Sequence, residues 1–184
     1  MAAFLKREPD VVVKGGRLGS FSDCLTGKYS KGGSEGAKAI VLAEASLGKE
    51  DADAALKAAN DAMSAFSSDK ASLADAVRLN VHVLCCTGRA DMGATMAKDQ
   101  LAMFREVADK AGEAKMTLSL AEAHCALGGA DGVEQALQES EEAVRLFRGL
   151  GDKAMLASAQ LTFAAVNLER KGDAKKKADE AKQA

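Results

Sequence analysis

The chain has no tryptophan, a single proline and a single tyrosine among its 184 residues. Pro9 is therefore the only residue that lacks a backbone N–H, and the rest of the sequence is free to form helices. Aromatic residues make up only 4% of the chain, whereas alanine, the strongest helix former, occurs 38 times. Alanine is also small enough to let helix axes approach closely. We therefore expect an all-α protein.

The sequence also lacks a marked excess of one charge and any long apolar run. With 25 basic and 27 acidic residues, its net charge of -2 gives no reason to expect nucleic acid or an anionic membrane as a partner. No apolar stretch approaches the roughly 18 residues that a membrane-spanning helix requires. We therefore expect protein partners, no nucleic acid and no direct membrane span.

Four cysteines are too few to hold a chain of this size together by disulfides. The N-terminal residues MAAFLKREPD contain no long apolar segment of the kind found in secretory signals. These features predict an intracellular, reducing compartment, either the cytoplasm or an organelle interior, and not a secreted protein. A transit peptide that has already been removed remains compatible with the sequence.

Nucleotide-binding and several catalytic motifs are missing. Gly27-Lys28 resembles the end of a phosphate-binding loop, but Tyr29 stands where the serine or threonine that meets magnesium is needed. The glycines between residues 15 and 19 do not have the spacing of a dinucleotide-binding turn. HExxH, CxxC and EF-hand patterns do not occur. We therefore expect a protein that is not an enzyme and needs no cofactor and no metal.

Two sequence features recur at one period of about 40 residues. Asp-Lys pairs follow apolar runs that each contain a phenylalanine, and glycines fall between these pairs at a similar spacing. The Asp-Lys pairs are Asp69-Lys70, Asp109-Lys110 and Asp152-Lys153, the phenylalanines are Phe66, Phe104 and Phe147, and the glycines are Gly48, Gly88, Gly128 and Gly172. A fixed period of this size predicts stacked helix-turn-helix units.

The composition changes abruptly near residue 36. Seven of the 17 glycines but only two of the 38 alanines precede Ala37. We interpret residues 1–36 as an extended, glycine-rich N-terminal arm, because glycine-rich segments do not sustain a helix. Within it, the β-branched run Val11, Val12 and Val13 is the best candidate for pairing with the edge of a partner's sheet.

Residues 37–184 form the second predicted domain, in which the helical period dominates. The pattern predicts four helix pairs, at 37–47 with 51–67, 70–87 with 91–108, 111–127 with 132–149, and 153–170 with 173–183. The first helix of the third pair carries a stripe of small and apolar residues at helical spacing, namely Ala114, Leu118, Ala121 and Cys125. Second helices carry small residues seven apart, as at Ala136 and Ala143.

These features resemble the tetratricopeptide-repeat family, particularly its longer variants of about 40 residues. The likeness covers residues 37 to 184 and is clearest in the segments QLAMFREVADK (100–110) and ALQESEEAVRLFRGLGDK (136–153). It implies a right-handed α-solenoid of about four repeats. In such a solenoid, the first helices line a concave groove that takes peptides or elements of other proteins.

Aligning the units by their Asp-Lys pairs selects polar residues between the apolar stripes. Arg78, His82, Lys115, Ser119 and Glu122 are the residues that we expect to face the groove and contact a partner. Their charges are mixed, so recognition is expected to combine shape with scattered hydrogen bonds.

Histidines and cysteines also cluster in the second and third units. His82, Cys85, Cys86, His124 and Cys125 contain the donor types of a soft-metal or redox site. The preferred interpretation is packing, because Cys85 and Cys125 lie on apolar stripes, where free cysteine behaves as a small hydrophobic residue. A metal- or redox-responsive regulator stays open as the less favoured alternative.

The sequence therefore predicts a non-enzymatic protein-protein interaction module, a scaffold or adaptor that docks a partner through the solenoid surface and the N-terminal arm. The main alternative is a constitutive accessory subunit of a large complex, including an organellar or membrane-associated one.

Overall fold

The computed structural model of the protein describes residue 25 and residues 27–183, with side chains described as far as residue 172. A helical turn at residues 27–29 precedes a series of longer helices, and no strand occurs in this part of the chain. The longer helices are α1 (Glu35–Leu47), α2 (Ala52–Ala65), α3 (Lys70–Cys86), α4 (Ala90–Glu106), α5 (Lys110–Leu127), α6 (Gly129–Leu150) and α7 (Lys153–Gln183). The predicted bounds of the first six helices agree with these to within three residues.

The Asp-Lys pairs mark the starts of α3, α5 and α7. Asp69 and Asp109 are the N-caps of α3 and α5, and each carboxylate accepts hydrogen bonds from two backbone N–H groups of the following turn. Asp152 Oδ1 likewise accepts from the backbone N–H of Met155 at the start of α7. Such caps satisfy N–H groups that have no partner within the helix. The regular spacing of these pairs is therefore the spacing of helix starts.

Turn glycines end two of these helices. Gly88 follows α3 with φ +76° and Gly128 follows α5 with φ +69°, a backbone region in which side chains other than glycine are strained. Gly172 behaves differently. The predicted break between residues 170 and 173 is wrong, because α7 continues through Gly172 as one helix of 31 residues. A lone glycine costs a helix only about 1 kcal/mol, and strong helix formers such as Lys171 and Ala174 lie close to this one.

Helices that are adjacent in the chain pack against each other throughout the series. The odd-numbered helices also contact one another: α1 touches α3, α3 touches α5, and α5 touches α7. Three helix-turn-helix pairs, α1–α2, α3–α4 and α5–α6, are therefore arranged in sequence, and α7 lies against the last of them. The apolar core is divided among these pairs into several clusters rather than gathered at one centre.

The periodic phenylalanines close the ends of the pairs. Phe104 and Phe147 are almost completely buried, and Phe66 is nearly so. Phe104 lies directly against Gly112, where any Cβ atom would overlap its ring, and Phe66 lies in the same way against Gly36. Glycine at these points lets an aromatic ring pack directly on the backbone of a neighbouring helix.

Part of the predicted arm belongs to the packed structure. Leu25 and Tyr29 are buried in the same core cluster as α1 and α2, and the Tyr29 ring lies 5.6 Å from that of Phe66. Packing therefore begins before Ala37. The predicted partner-binding residues 11–13 lie outside the described residues. None of the described helices is both long enough and apolar enough to span a membrane.

Candidate interaction site

Four of the predicted groove residues meet between α3 and α5. The guanidinium group of Arg78 donates to Glu122 Oε1 at 3.2 Å, to Ser119 Oγ at 3.2 Å and to the backbone carbonyl of Lys115 at 3.3 Å. Thr162, on α7, donates to the same Glu122 oxygen at 3.4 Å. The group thus connects the α3–α4 pair to the α5–α6 pair and to α7.

A second buried charge lies one turn before Arg78, at Asp75. One of its carboxylate oxygens pairs with Lys115 Nζ at 2.7 Å, and the other with Lys28 Nζ at 2.5 Å and with the Tyr29 hydroxyl at 2.9 Å. Burial acts to raise the pKa of Asp75, but the two ammonium groups outweigh it and hold this pKa below its ordinary value. Asp75 therefore remains a carboxylate and ties the N-terminal helical turn to α3 and α5.

We call these connected side chains the polar seam. It consists of Lys28, Tyr29, Asp75, Arg78, Lys115, Ser119, Glu122 and Thr162.

The seam is buried more deeply than a groove lining. The side chains of Arg78 and Glu122 are 0% and 4% exposed, and that of Lys115 is 12% exposed. Lys28, at 52%, is its most accessible charged member. The structure therefore brings the predicted residues together as mutual partners that position three odd-numbered helices.

Burial also shifts the pKa of Glu122, the acidic partner of Arg78 in the seam. It raises the pKa of Glu122 above its ordinary value, although Arg78 and Thr162 both favour the ionised form. A buried pair of this kind contributes little net stability, because desolvation offsets much of the attraction. Removing one member, however, leaves the other charged and without compensation. The pair therefore specifies how the helices are arranged more than it adds to stability.

His82 is the one predicted groove residue outside the seam. It lies one turn after Arg78, and its Nε2 is 3.6 Å from the sulfur of Cys86. Burial, together with the nearby guanidinium charge, lowers the pKa of His82 to about 4. The ring is therefore neutral at physiological pH.

The histidine and cysteine side chains have different packing partners. Cys85 packs in the core cluster of α3, α4 and α5, whereas Cys125 packs against residues of α6 and α7. His124 Nδ1 lies 2.8 Å from Glu139 of α6. Within the described residues no group of three or more histidine, cysteine, aspartate or glutamate side chains is arranged to hold a metal ion. Burial also raises the pKa of Cys85, which keeps it as a thiol.

One further catalytic pattern does occur in the sequence. Residues 32–36 read Gly-Gly-Ser-Glu-Gly, which has the GxSxG spacing of a hydrolase nucleophile. Ser34 is instead the N-cap of α1, and its Oγ accepts a hydrogen bond from the backbone N–H of Ala37. A helical turn, and not the strand that a nucleophile elbow requires, precedes it. This serine therefore has the surroundings of a capping residue.

Sequence reasoning missed several members of the seam, above all Asp75 and Thr162. A signal for Asp75 was present, because it is a lone carboxylate within an otherwise apolar stretch of α3. It also stands 40 residues before Lys115, so opposite charges occupy equivalent positions in successive units. The roles of Lys28 and Tyr29 had no such signal, because they lie outside the repeat.

Comparison of the sequence with protein-family models gives no match, and comparison with curated proteins gives none either.

Proposed function

We propose that this protein is a non-enzymatic interaction module, a scaffold or adaptor of the tetratricopeptide-repeat-like kind. In this proposal the helix pairs form a right-handed solenoid, and a protein partner docks on the side to which the odd-numbered helices contribute. The N-terminal arm, with Val11, Val12 and Val13, adds an extended contact. The protein acts by holding its partner in place within a larger assembly.

The observation that carries the proposal is the polar seam. Arg78 and Asp75, both on α3, bind groups on α5 and on the N-terminal turn, so successive pairs are fixed relative to one another. A surface that is ordered before binding loses little conformational freedom when a partner arrives. Buried polar contacts that fix geometry without adding much stability suit a protein whose role depends on the shape it presents.

We assign the direct contacts with the partner to the margin of the seam, the part formed by Lys28 and Lys115. Lys28 is half exposed, and Lys115 is the least buried of the predicted groove residues on α3 and α5. The two ammonium groups share Asp75, so this margin carries one positive charge in excess. In this proposal Arg78, Ser119 and Glu122 position the helices, while Lys28, Lys115 and the arm meet the partner.

Affinity capture from the native source, followed by mass spectrometry, tests this proposal. The whole chain is compared with a chain that begins at Leu25, which keeps Leu25 and Tyr29 in the core, and with Lys115→Met. We expect both the shortened chain and Lys115→Met to capture smaller amounts of the specific partner proteins. Lys38→Met is the matched control, since this exposed lysine pairs only with Glu35 among the described residues. Capture that is the same for every variant would contradict the proposal.

The alternative of a constitutive accessory subunit is favoured by a different observation. Leu161 and Leu168, on α7, are 51% and 68% exposed. Apolar side chains that are open to water at the end of a helical series are typical of a surface that a neighbouring subunit covers. Sedimentation of the isolated chain at several concentrations separates the two functions, because an adaptor stays dispersed whereas an uncovered subunit associates or aggregates.

A further inference from the structure

The exposed face of α7 reproduces a face that is buried on α5. Five small or apolar residues of α7 follow one another at intervals of three and four, and all are exposed: Ala154, Ala157, Leu161, Ala164 and Leu168. We call this set the terminal stripe. At this spacing all five lie on one side of the helix. The buried residues Ala159 and Val166 lie on the opposite side.

The terminal stripe has a counterpart in the preceding unit. Alignment of the N-caps Asp109 and Asp152 places α7 residues 43 positions after those of α5. The last four stripe residues then correspond to Ala114, Leu118, Ala121 and Cys125 of α5. These are the residues that α6 and α7 cover in the structure: Ala114 and Leu118 pack with Ala143, Phe147 and Ala159, and Cys125 packs with Val133, Ala136 and Val166.

From this correspondence we infer that the terminal stripe is a docking surface for an amphipathic helix of another protein, which takes the place that α6 takes on α5. In the described part of the chain no helix follows α7 to fill this place. The correspondence also predicts which side chains the partner helix carries. Its apolar face carries small residues seven apart, as Ala136 and Ala143 do in α6, with a large aromatic residue near the end in the position of Phe147.

Charge favours an acidic partner helix over a second copy of this chain. Residues 153–172 contain three basic side chains and one acidic side chain, whereas α6 contains five acidic and two basic ones. Helices α2 and α4 each have one more acidic than basic residue. Two copies of α7 would bring like charges together, which is unfavourable. A net-negative helix complements this surface.

This inference deepens the proposed function, since it adds a surface and the chemistry of its partner. The terminal stripe shares no residue with the polar seam. A negative result on α7 therefore leaves the proposed function standing, whereas loss of partners on changing Lys115 bears on that proposal alone.

The test uses the full chain and a fluorescent peptide with the sequence of residues 129–150. A hydrocarbon staple on its exposed side, at the positions of Glu134 and Gln138, fixes the peptide as a helix. We expect saturable binding by fluorescence anisotropy. Leu161→Asp and Leu168→Asp should each weaken it roughly tenfold or more, because a carboxylate then has to be buried against an apolar face.

Leu42→Asp is the matched control, since this leucine of α1 is 57% exposed and lies outside the stripe. It should leave binding within about twofold, the range expected of a surface change away from the contact. A peptide with leucine at the positions of Ala136 and Ala143 should bind roughly tenfold more weakly, because larger side chains prevent close approach. Circular dichroism of each protein variant verifies that the fold is retained.

Three results would overturn the inference. The first is the absence of peptide binding, and the second is binding that Leu161→Asp leaves unchanged. The third comes from sedimentation of the chain alone: a dimer that Leu161→Asp dissociates would assign the stripe to a second copy. A monomer that binds the stapled peptide through Leu161 and Leu168 supports the inference.

Discussion

Helices α5 and α7 carry the same pattern of small and apolar residues but have different surroundings. On α5 the stripe that includes Leu118 is covered by α6 and α7, and Leu118 is 0% exposed. On α7 the equivalent Leu161 is 51% exposed. The side-chain pattern is thus the same where a helix is covered and where it is open. The comparison teaches that such a pattern defines a helix face suited to packing. Whether that face lies in the core or at the surface depends on the neighbouring helices.

The largest difference between the two helices is expected when the same substitution, leucine to aspartate, is made separately at Leu118 and at Leu161. Leu118→Asp places an uncompensated charge in the core and should lower the free energy of unfolding by about 4 kcal/mol or more. Leu161→Asp should change it by less than about 0.5 kcal/mol, since that side chain already meets water. Urea denaturation of both variants measures the difference. Equal losses would mean that the two faces are not as different as their exposures indicate.

Substitutions in the polar seam test how much the buried contacts of α5 contribute to stability. Glu122→Ala leaves the Arg78 guanidinium buried without its carboxylate, and we expect a loss of about 3 kcal/mol or more in the free energy of unfolding. Arg78→Met combined with Glu122→Leu should recover much of this loss, because neither charge then remains. Arg145→Ala is the control, since its pair with Glu142 is exposed to solvent and its loss should change stability little. A similar loss for Glu122→Ala and Arg145→Ala would contradict the prediction.

The neutral state of His82 predicts how stability depends on pH. Its pKa is about 4 in the folded chain and about 6.5 when exposed, so the unfolded chain binds the extra proton first. The stabilisation is complete above pH 6.5 and is lost as the pH falls towards 4, by up to about 3 kcal/mol. Urea denaturation between pH 7 and 4.5 should show this fall.

His82→Gln should make that fall shallower, because a glutamine side chain binds no proton in this pH range. Identical pH profiles for the parent chain and His82→Gln would rule out His82 as the source.

Alanine substitutions at two helical glycines, one on α5 and one on α7, should change stability in opposite directions. Gly112→Ala, on α5, would push a methyl group into the ring of Phe104 and should cost about 1–3 kcal/mol. Gly172→Ala, on α7, meets nothing within 4 Å and should raise stability by up to about 1 kcal/mol. Thermal denaturation is sufficient to give both signs. Destabilisation by Gly172→Ala would indicate that this part of α7 is more closely packed than the structure shows.

Most of the fold could be predicted from the sequence, because local signals repeat in it. Asp69 and Asp109 mark helix starts through capping, and Gly88 and Gly128 mark ends through their positive φ. Gly172 was misinterpreted because the same residue type tolerates a helix interior at modest cost. Periodicity alone does not distinguish a glycine that ends a helix from one inside it.

The candidate site was predicted less completely. The spacing selected Arg78, Ser119 and Glu122, which do lie together, but it did not show that they are buried partners of each other. A guanidinium group reaches several ångströms beyond its own helix, so its final partners depend on the distance between helices. The contacts of Lys28 and Tyr29 with Asp75 depend on how the chain enters the first pair, which no repeat encodes.

The bond from Arg78 to Glu122 crosses from one helix pair to the next, 44 residues along the chain. If the α3–α4 pair opened alone, Glu122 of α5 would lose its guanidinium partner and part of the packing around it, so opening of this pair by itself is penalised. Repeating units are otherwise free to fray independently from either end. The seam therefore makes the middle of the molecule cooperative, and its amide hydrogens should exchange together in a single slow event while those near the end of α7 exchange earlier.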